Sequence, residues 1–217
     1  MKIDTNTMTI LKNFAKINSS ILINEGNTLK TVSPTKTIVG KAAVSTVFEQ
    51  KFAIYDLNRF LSTLSLFKDP NLTFNEKNVT ITDENKTLNY TYADENVIIK
   101  APEKDIVLPS EDVVLKITND DMKDVEKALS VLGLPEIMIY GDGNIVSLQA
   151  VDSKNPSGDV YSNEIGSTDK AFKAIFKAEN IKILPGDYEV VLCSKGISHW
   201  KSDVVEYFIA VESSSIF

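Results

Sequence analysis

A segment that predicts a strand leading directly into a helix occurs twice in this sequence, and this repeat restricts the possible folds more than any other feature. The first copy, residues 51–66, begins KFAIYDLNRF, and the second, residues 172–184, begins FKAIFKAENI. Each has an aromatic-rich apolar segment, then a polar residue, then an amphipathic segment with a basic residue on its polar side. A repeat of this kind predicts two similar domains.

The order of other landmarks supports the duplication. Three pairs occur in the same order in both halves: Met8 and Met122, Gly26 and Gly143, and Tyr55 and Phe176. Between the halves, residues 101–112 hold two prolines and four carboxylates around one apolar triplet, which is typical of an extended connector. The sequence therefore predicts domains at residues 1–104 and 113–217, joined by a connector at residues 105–112.

Hydrophobic periodicity predicts an α+β fold with two short helices in each half. Helices are expected near residues 7–17, 57–66, 119–132 and 178–184. Most of the remaining chain consists of short apolar segments that are separated by polar turns, and this pattern favours antiparallel strands. Two of these predicted strands lie at residues 97–100 and 160–165.

The distribution of charge is uneven. The chain carries 23 basic and 30 acidic residues, a formal charge of −7, so net charge alone would not single it out as a nucleic-acid binder. Segregation of the basic residues to helices nevertheless favours one surface for a polyanion. A single exposed lysine is usually only a solvated side chain, and residues 119–132 also hold four carboxylates. The basic residues on or beside the predicted helices are Lys12, Lys16, Arg59, Lys68, Lys123, Lys127, Lys177 and Lys182.

No pattern in the sequence indicates catalysis. Cys193 and His199 are the only residues of their types, and Cys193 lies in an apolar segment that predicts burial. No phosphate-binding glycine loop, zinc site or EF-hand is present, so we expect no enzyme, no metal and no cofactor. No apolar run approaches membrane-spanning length, and a single cysteine fits a reducing cytoplasm.

Several segments resemble one known family. Residues 11–19 (LKNFAKINS), 53–61 (AIYDLNRFL), 184–188 (LPGDY) and the tail 210–217 are similar to the DNA polymerase sliding clamps of T-even-type bacteriophages. The resemblance runs from the first helix to the end of the sequence and is weakest at residues 28–50 and 152–170. The AIYDLN block followed by an apolar helix is its most specific part.

The resemblance implies a fold and an assembly. Two domains of the DNA-clamp type, each with two helices packed on antiparallel sheets, would join head to tail into a homotrimeric ring. The helices would face duplex DNA without reading its sequence. Strand edges would form the subunit interface through Val97, Ile98, Ile99, Val160, Tyr161 and Ile165.

The resemblance also implies partners and a setting. These are the replicative DNA polymerase, an ATP-dependent clamp loader and late-transcription factors, in the cytoplasm of an infected bacterial host. Partner peptides would dock near the connector, which makes Ile106, Val107 and Leu108 candidates to border the partner pocket. The clamp itself would perform no chemistry and would give the polymerase processivity.

Three alternatives stay open at this point. Residues 97–100 could form an ordinary internal strand, and the apolar triplet 106–108 could simply fix the connector to a sheet. The whole chain could instead be a non-enzymatic, β-rich phage structural or scaffold subunit. A clamp predicts that the basic residues converge on one surface, whereas a structural subunit does not.

Overall fold

The structure, a computed structural model, describes all residues from 1 to 217 and divides into two compact units. Unit 1 is Met1–Asp105 and unit 2 is Ile106–Phe217. Each unit is built largely of antiparallel strands, and the chain has three α-helices.

Unit 1 contains two helices and seven strands. β1 pairs with β4, β2 pairs with β3, and β5, β6 and β7 form a three-stranded antiparallel sheet. The bounds in chain order are α1 (Thr5–Ile17), β1 (Ile21–Ile23), β2 (Gly26–Val32), β3 (Ile38–Phe48), β4 (Phe52–Ile54), α2 (Leu57–Leu64), β5 (Asn71–Phe74), β6 (Asn78–Asp83) and β7 (Lys86–Thr91).

Unit 2 contains one helix and eight strands. β9 pairs with β12 and β10, and β10 pairs with β11; β13 pairs with β8 and β14, and β14 pairs with β15. The bounds are β8 (Val113–Ile117), α3 (Asn119–Leu132), β9 (Glu136–Asp142), β10 (Ile145–Val151), β11 (Tyr161–Ser167), β12 (Ala171–Lys177), β13 (Tyr188–Cys193), β14 (Ile197–Lys201) and β15 (Glu206–Ala210).

The same pairing scheme occurs in both units, as the repeat predicts. The pair β9 and β12 corresponds to β1 and β4, and the pair β10 and β11 corresponds to β2 and β3. The three strands β13, β14 and β15 correspond to β5, β6 and β7. In unit 1, Met1 occupies the position that corresponds to β8 of unit 2. Its amine donates to Leu72 O at 2.6 Å, and its carbonyl accepts from Leu72 N at 2.7 Å. Gly26 and Gly143 also correspond: their φ angles of 105° and 94° lie where other residues are strained.

Two predicted elements are wrong. The fourth helix is only a 3₁₀ turn at Ala178–Asn180, since β12 continues to Lys177 and Pro185 disfavours helix from residue 184 onward. The predicted strand at 97–100 is also absent. A 3₁₀ turn occupies Glu95–Val97, begun by the Asp94 carboxylate accepting from Asn96 N at 2.8 Å.

Close packing holds each core. In unit 1 the Phe14 ring lies against Gly40, where an added Cβ would stand 2.9 Å from the ring, so α1 approaches β3 closely. In unit 2 the fully buried Trp200 makes edge contacts with Phe176 and Tyr188, at centroid distances of 5.8 and 6.2 Å.

Asp4 caps α1, and we expect its loss to be measurable. Its carboxylate accepts from Thr7 N (2.9 Å), Thr7 Oγ1 (2.5 Å) and Thr46 Oγ1 (2.6 Å). These bonds, with that from Thr46 the largest cause, lower the pKa of Asp4 to about 2. Asp4→Ala should therefore cost about 1–2 kcal/mol of unfolding free energy near neutral pH.

The pH dependence gives this prediction its sign. A depressed carboxyl pKa contributes stability that is complete above the unfolded value near 3.8 and is lost as pH falls towards 2. The difference in Tm between wild type and Asp4→Ala, followed by circular dichroism, should thus shrink between about pH 5 and pH 2. Asp203→Ala, at an exposed position, is the control. A difference that is constant over this range would contradict the assignment.

Candidate nucleic-acid interface

Helix α1 buries one side and presents lysines on the other. Ile10, Leu11 and Phe14 are fully buried, whereas Lys12 and Lys16 are exposed. Side chains four residues apart are neighbours on a helix surface, so the two lysines form a short cationic row. The sequence of α1 contains no aspartate or glutamate to offset that row.

Helix α2 packs against α1 and continues this pattern. Asp56 caps the start of α2, since its carboxylate accepts from Arg59 N at 2.9 Å, and the helix buries Leu57, Phe60, Leu61 and Leu64. The Arg59 side chain is exposed, as is Lys68 just beyond the helix. Residues 57–68 contain no carboxylate, so the exposed sides of α1 and α2 carry only basic and neutral groups.

Helix α3 is different. It is fixed by a capping box between Thr118 and Asp121, and it exposes Lys123 and Lys127. Each lysine has an aspartate three residues before it, and Asp120 pairs with Lys123 at 3.0 Å. Two lysines stand among four carboxylates on this helix, so its lysines are largely neutralised by their own neighbours.

The remaining predicted cations of unit 2 lie outside helices, because the fourth helix is absent. Lys177 ends β12 and Lys182 follows the 3₁₀ turn; both are exposed. The structure thus brings Lys12, Lys16 and Arg59 together on two packed helices of unit 1. In unit 2 it places Lys123 and Lys127 four residues apart on α3, and Lys177 and Lys182 on either side of the 3₁₀ turn.

Near the connector, carboxylate and ammonium groups are paired. Asp105 accepts from Lys30 at 3.0 Å and lies 3.1 Å from Lys41, and hydrogen bonds from these two lysines lower the pKa of Asp105. They border a cavity of about 710 Å³ in unit 1 that is also lined by Lys100 and Pro102. Sequence reasoning missed this cluster, because residues so far apart in the chain give no local signal.

The predicted partner residues follow immediately. Ile106 and Leu108 are half-buried, and Val107 is 84% exposed. The triplet therefore places one apolar side chain fully in solvent.

Strand β7 in unit 1 and strand β11 in unit 2 each have an outer edge without a paired strand. In unit 1, Met1 covers the outer edge of β5, while β7 bonds only to β6. In unit 2, Ile216 covers the outer edge of β12 through a bridge to Lys173, while β11 bonds only to β10. Strands β7 and β11 thus carry rows of backbone groups available for pairing.

The predicted interface residues are divided by this arrangement. Tyr161 and Ile165 lie in β11 and Val160 directly precedes it, so these three lie at an open edge. Val97, Ile98 and Ile99 do not lie on a strand, and Ile98 is buried in unit 1. The last strand of unit 1 is instead β7, which ends at Thr91 and has an open outer edge.

Exposed apolar side chains accompany both open edges. Leu66 is 60% exposed, and its carbonyl accepts from Lys86, the first residue of β7, at 3.1 Å. Val131 and Leu132 are 74% and 41% exposed at the end of α3, which packs against β11. Sequence reasoning missed these residues. Helical spacing could have indicated Val131 and Leu132, because this apolar pair lies away from the buried side of α3.

Cys193 and His199, the residues whose types can act in catalysis, each contact a different residue. Cys193 is buried, with Sγ 3.2 Å from Ser110 Oγ, and His199 Nε2 lies 2.8 Å from a Glu206 carboxylate oxygen while its ring stacks on Phe208. No helix of the structure has both the length and the apolar character that a membrane span requires.

Comparison with known proteins places the chain in a family. Residues 3–100 match a family of DNA polymerase processivity factors, and residues 114–213 match the C-terminal domain of the gp45 sliding clamp. The sliding clamp of Vibrio phage KVP40 is 33% identical, with 98% of this chain and 100% of that protein covered. The sliding clamp of Enterobacteria phage T4 is 31% identical, with coverage of 99% and 98%.

The fold is also that of solved clamps. The PCNA of A. fulgidus was solved with the C-terminal region of FEN-1 bound. It superposes on this chain with a TM-score of 0.67 at 13% identity, and the match covers 96% of both chains. At that identity the likeness concerns the fold alone. Full-length similarity to the phage proteins carries the assignment: the chain belongs to the sliding-clamp family of DNA polymerase processivity factors.

Proposed function

We propose that three copies of this chain close head to tail around duplex DNA and tether the replicative polymerase to it. The observation that carries this proposal is the surface formed by α1 and α2. On a chain with formal charge −7, these helices expose Lys12, Lys16 and Arg59 and no carboxylate. Such local segregation attracts a polyanion although the whole molecule is acidic.

The chemistry of this surface fits sliding. Each lysine that contacts a phosphate releases counterions and carries no base information. Lysine is a hydrated point charge on a flexible stem, and Arg59 is the only arginine in the chain. Lys68, Lys177 and Lys182 would add to the same DNA-facing set, while Lys123 and Lys127 would contribute less because of their acidic neighbours.

The open edges support the homotrimer. β7 of one copy would pair with β11 of the next, and this head-to-tail contact closes a ring when the rotation is correct. Leu66 beside β7 and Val131 and Leu132 beside β11 would supply the apolar contact at that joint. Each copy then has both of its open strands covered.

Partners would dock at the connector, residues 105–112, between domains at 1–104 and 113–217. The exposure of Val107, flanked by Ile106 and Leu108, supports this site. The peptide carried by the A. fulgidus PCNA supports docking of short segments on clamps in general. The partners are the replicative polymerase, the ATP-dependent loader and late-transcription factors, in the cytoplasm of an infected bacterium.

We propose further that the chain is a scaffold and not an enzyme. Cys193 and His199 have separate partners, Ser110 and Glu206, and do not form a nucleophile–base pair with each other. The contribution of the clamp to replication would be to keep the polymerase on its template. This requires topology and weak contacts and no reacting group.

A topology experiment tests the function. The clamp is loaded onto nicked circular DNA with the cognate loader and ATP, free protein is removed, and half of the sample is cut once with a restriction enzyme. We expect retention on the circle and rapid loss after cutting, because a ring slides off an end. Equal retention on cut and uncut DNA would contradict encirclement and would fit a structural subunit.

A further inference from the structure

The segment that follows helix α2 is held by the tip of a neighbouring hairpin. Strands β6 and β7 are joined by a tight turn between Asp83 and Lys86, which pair across it. The Asp83 carboxylate oxygen Oδ2 accepts from Lys68 N at 2.7 Å and from Asp69 N at 3.1 Å. Lys86 Nζ donates to Leu66 O at 3.1 Å. The hairpin tip therefore binds both amides and a carbonyl of this segment.

The Asp83 carboxylate receives these bonds in its charged form. The bonds lower the pKa of the Asp83 carboxyl, with that from Asp69 N the largest cause and that from Lys68 N the next. The ammonium groups of Lys86 and Lys68 act in the same direction. Lys2 in turn pairs with the Asp69 side chain. Asp83 is therefore a charged acceptor, which makes stronger hydrogen bonds to amides than a neutral one.

The held segment presents one apolar side chain to solvent. Helix α2 ends at Leu64, and the residues that follow it turn and bend. Phe67 is 8% exposed and anchors the segment in the core, whereas Leu66 beside it is 60% exposed. Burial of Phe67 alone leaves the direction of Leu66 to the backbone bonds on either side. Those bonds are the ones that Lys86 and Asp83 make.

Leu66 lies next to a strand edge that has no partner. Lys86, which bonds to Leu66 O, is the first residue of β7, and the outer edge of β7 has no paired strand. An exposed apolar side chain beside a row of unpaired backbone groups suits contact with another strand-bearing surface. In the head-to-tail ring proposed above, that surface is the β11 side of the next copy, where Val131 and Leu132 are exposed.

We propose that Asp83 is a positioning residue for ring assembly, which holds Leu66 in the direction that a second copy of this chain contacts. This inference rests on the homotrimer of the proposed function and adds the group that orders the apolar contact before the subunits meet. Ordering a side chain and its segment costs entropy on association, so a contact that is already ordered binds more tightly. Asp83 acts through Leu66 and does not itself supply the contact.

A double-mutant cycle tests this role. Association is measured by sedimentation velocity over a concentration series for wild type, Asp83→Ala, Leu66→Ala and the variant with both changes. We expect Asp83→Ala to raise the dissociation constant of a joint roughly two- to ten-fold, which corresponds to ordering one side chain on binding. In the Leu66→Ala background the same change should alter that constant by less than about two-fold, because the side chain that Asp83 directs is gone.

Two further variants separate positioning from a general loss of stability. Asp83→Asn keeps an acceptor oxygen for both amides and should restore association to near the wild-type value. Asp187→Ala removes an exposed carboxylate of unit 2 that also holds a distant amide, Asn119 N at 2.8 Å, and should leave association unchanged. Circular dichroism melting verifies that each variant is folded. Asp83→Ser takes the place of the alanine variant if that variant does not fold.

Failure of the ring and failure of this role give different results. A wild-type protein that remains monomeric over the whole concentration range would refute the ring, and this inference with it. A trimeric wild type whose association is unaffected by Asp83→Ala would overturn the role of Asp83 and leave the ring intact. An equal loss with and without the Leu66 side chain, or no recovery with asparagine, would likewise overturn that role.

Discussion

Charge reversal of Lys12 and Lys16 to glutamate is expected to weaken binding to duplex DNA far more than the same reversal of Lys123 and Lys127. Both changes alter two exposed lysines four residues apart on one helix, so they match in net charge and geometry. The difference lies in the neighbours: α1 has no carboxylate, whereas Lys123 is already paired with Asp120 at 3.0 Å. On α1 no carboxylate of the same helix competes with phosphates for the lysines.

Salt dependence gives the expected size. Each phosphate contact contributes about 0.9 to the slope of log K against log salt, so the α1 variant should lose about 2 in slope for each subunit that touches the duplex. The α3 variant should lose roughly half of that or less. The measurement is anisotropy of a short linear duplex over a salt series, which needs neither loader nor ring opening.

Stability is the control for this pair of variants. All four positions are solvent-exposed, so each double variant should unfold within about 1 kcal/mol of wild type. An equal loss of DNA binding in the two variants would show that both units contribute alike. It would contradict the unequal roles that we assign to α1 and α3.

Replacement of Val131 by glutamate is expected to convert the proposed trimer into monomers. Val131 is 74% exposed in the single chain, so the change costs the isolated subunit little, and glutamate is a better helix former than valine. At a closed joint the same carboxylate would be buried without a partner. Such a burial costs about 3–5 kcal/mol, which is about two to four orders of magnitude in the association constant.

Light scattering checks this expectation. Wild type should have the mass of three 24.0 kDa chains, and Val131→Glu should have the mass of one at the same concentration. Ser130→Glu is the matched control, because it adds the same charge one residue earlier, on the exposed side beside Lys127. A Val131→Glu protein that remains trimeric would remove α3 from the interface.

The fold was largely predictable because its signals are local. Periodicity placed the three real helices, and the matched pairs Gly26–Gly143 and Met8–Met122 gave the duplication. The errors arose where local pattern and context disagree. Residues 97–99 are apolar and β-branched, yet the Asp94 side chain starts a turn there. Residues 178–184 are amphipathic, yet too few precede Pro185 to make a helix.

The candidate sites were less predictable, since they depend on long-range arrangement. Exposure of Lys12 and Lys16 follows from helix spacing, but the covering of β5 by Met1 joins residues that are 71 apart in the chain. The pairing of Lys30 and Lys41 with Asp105 has the same character. A single sequence carries no periodic signal for contacts of that kind.

The burial of Trp200 makes it a natural optical label. It is the only tryptophan of the chain, and it lies wholly within unit 2, so its emission reports the packing of that repeat and is blind to the other. Circular dichroism reports both repeats together. Superimposable melting curves from the two signals would mean that the duplicated halves unfold as one cooperative body, and separated curves would mean that they melt in turn.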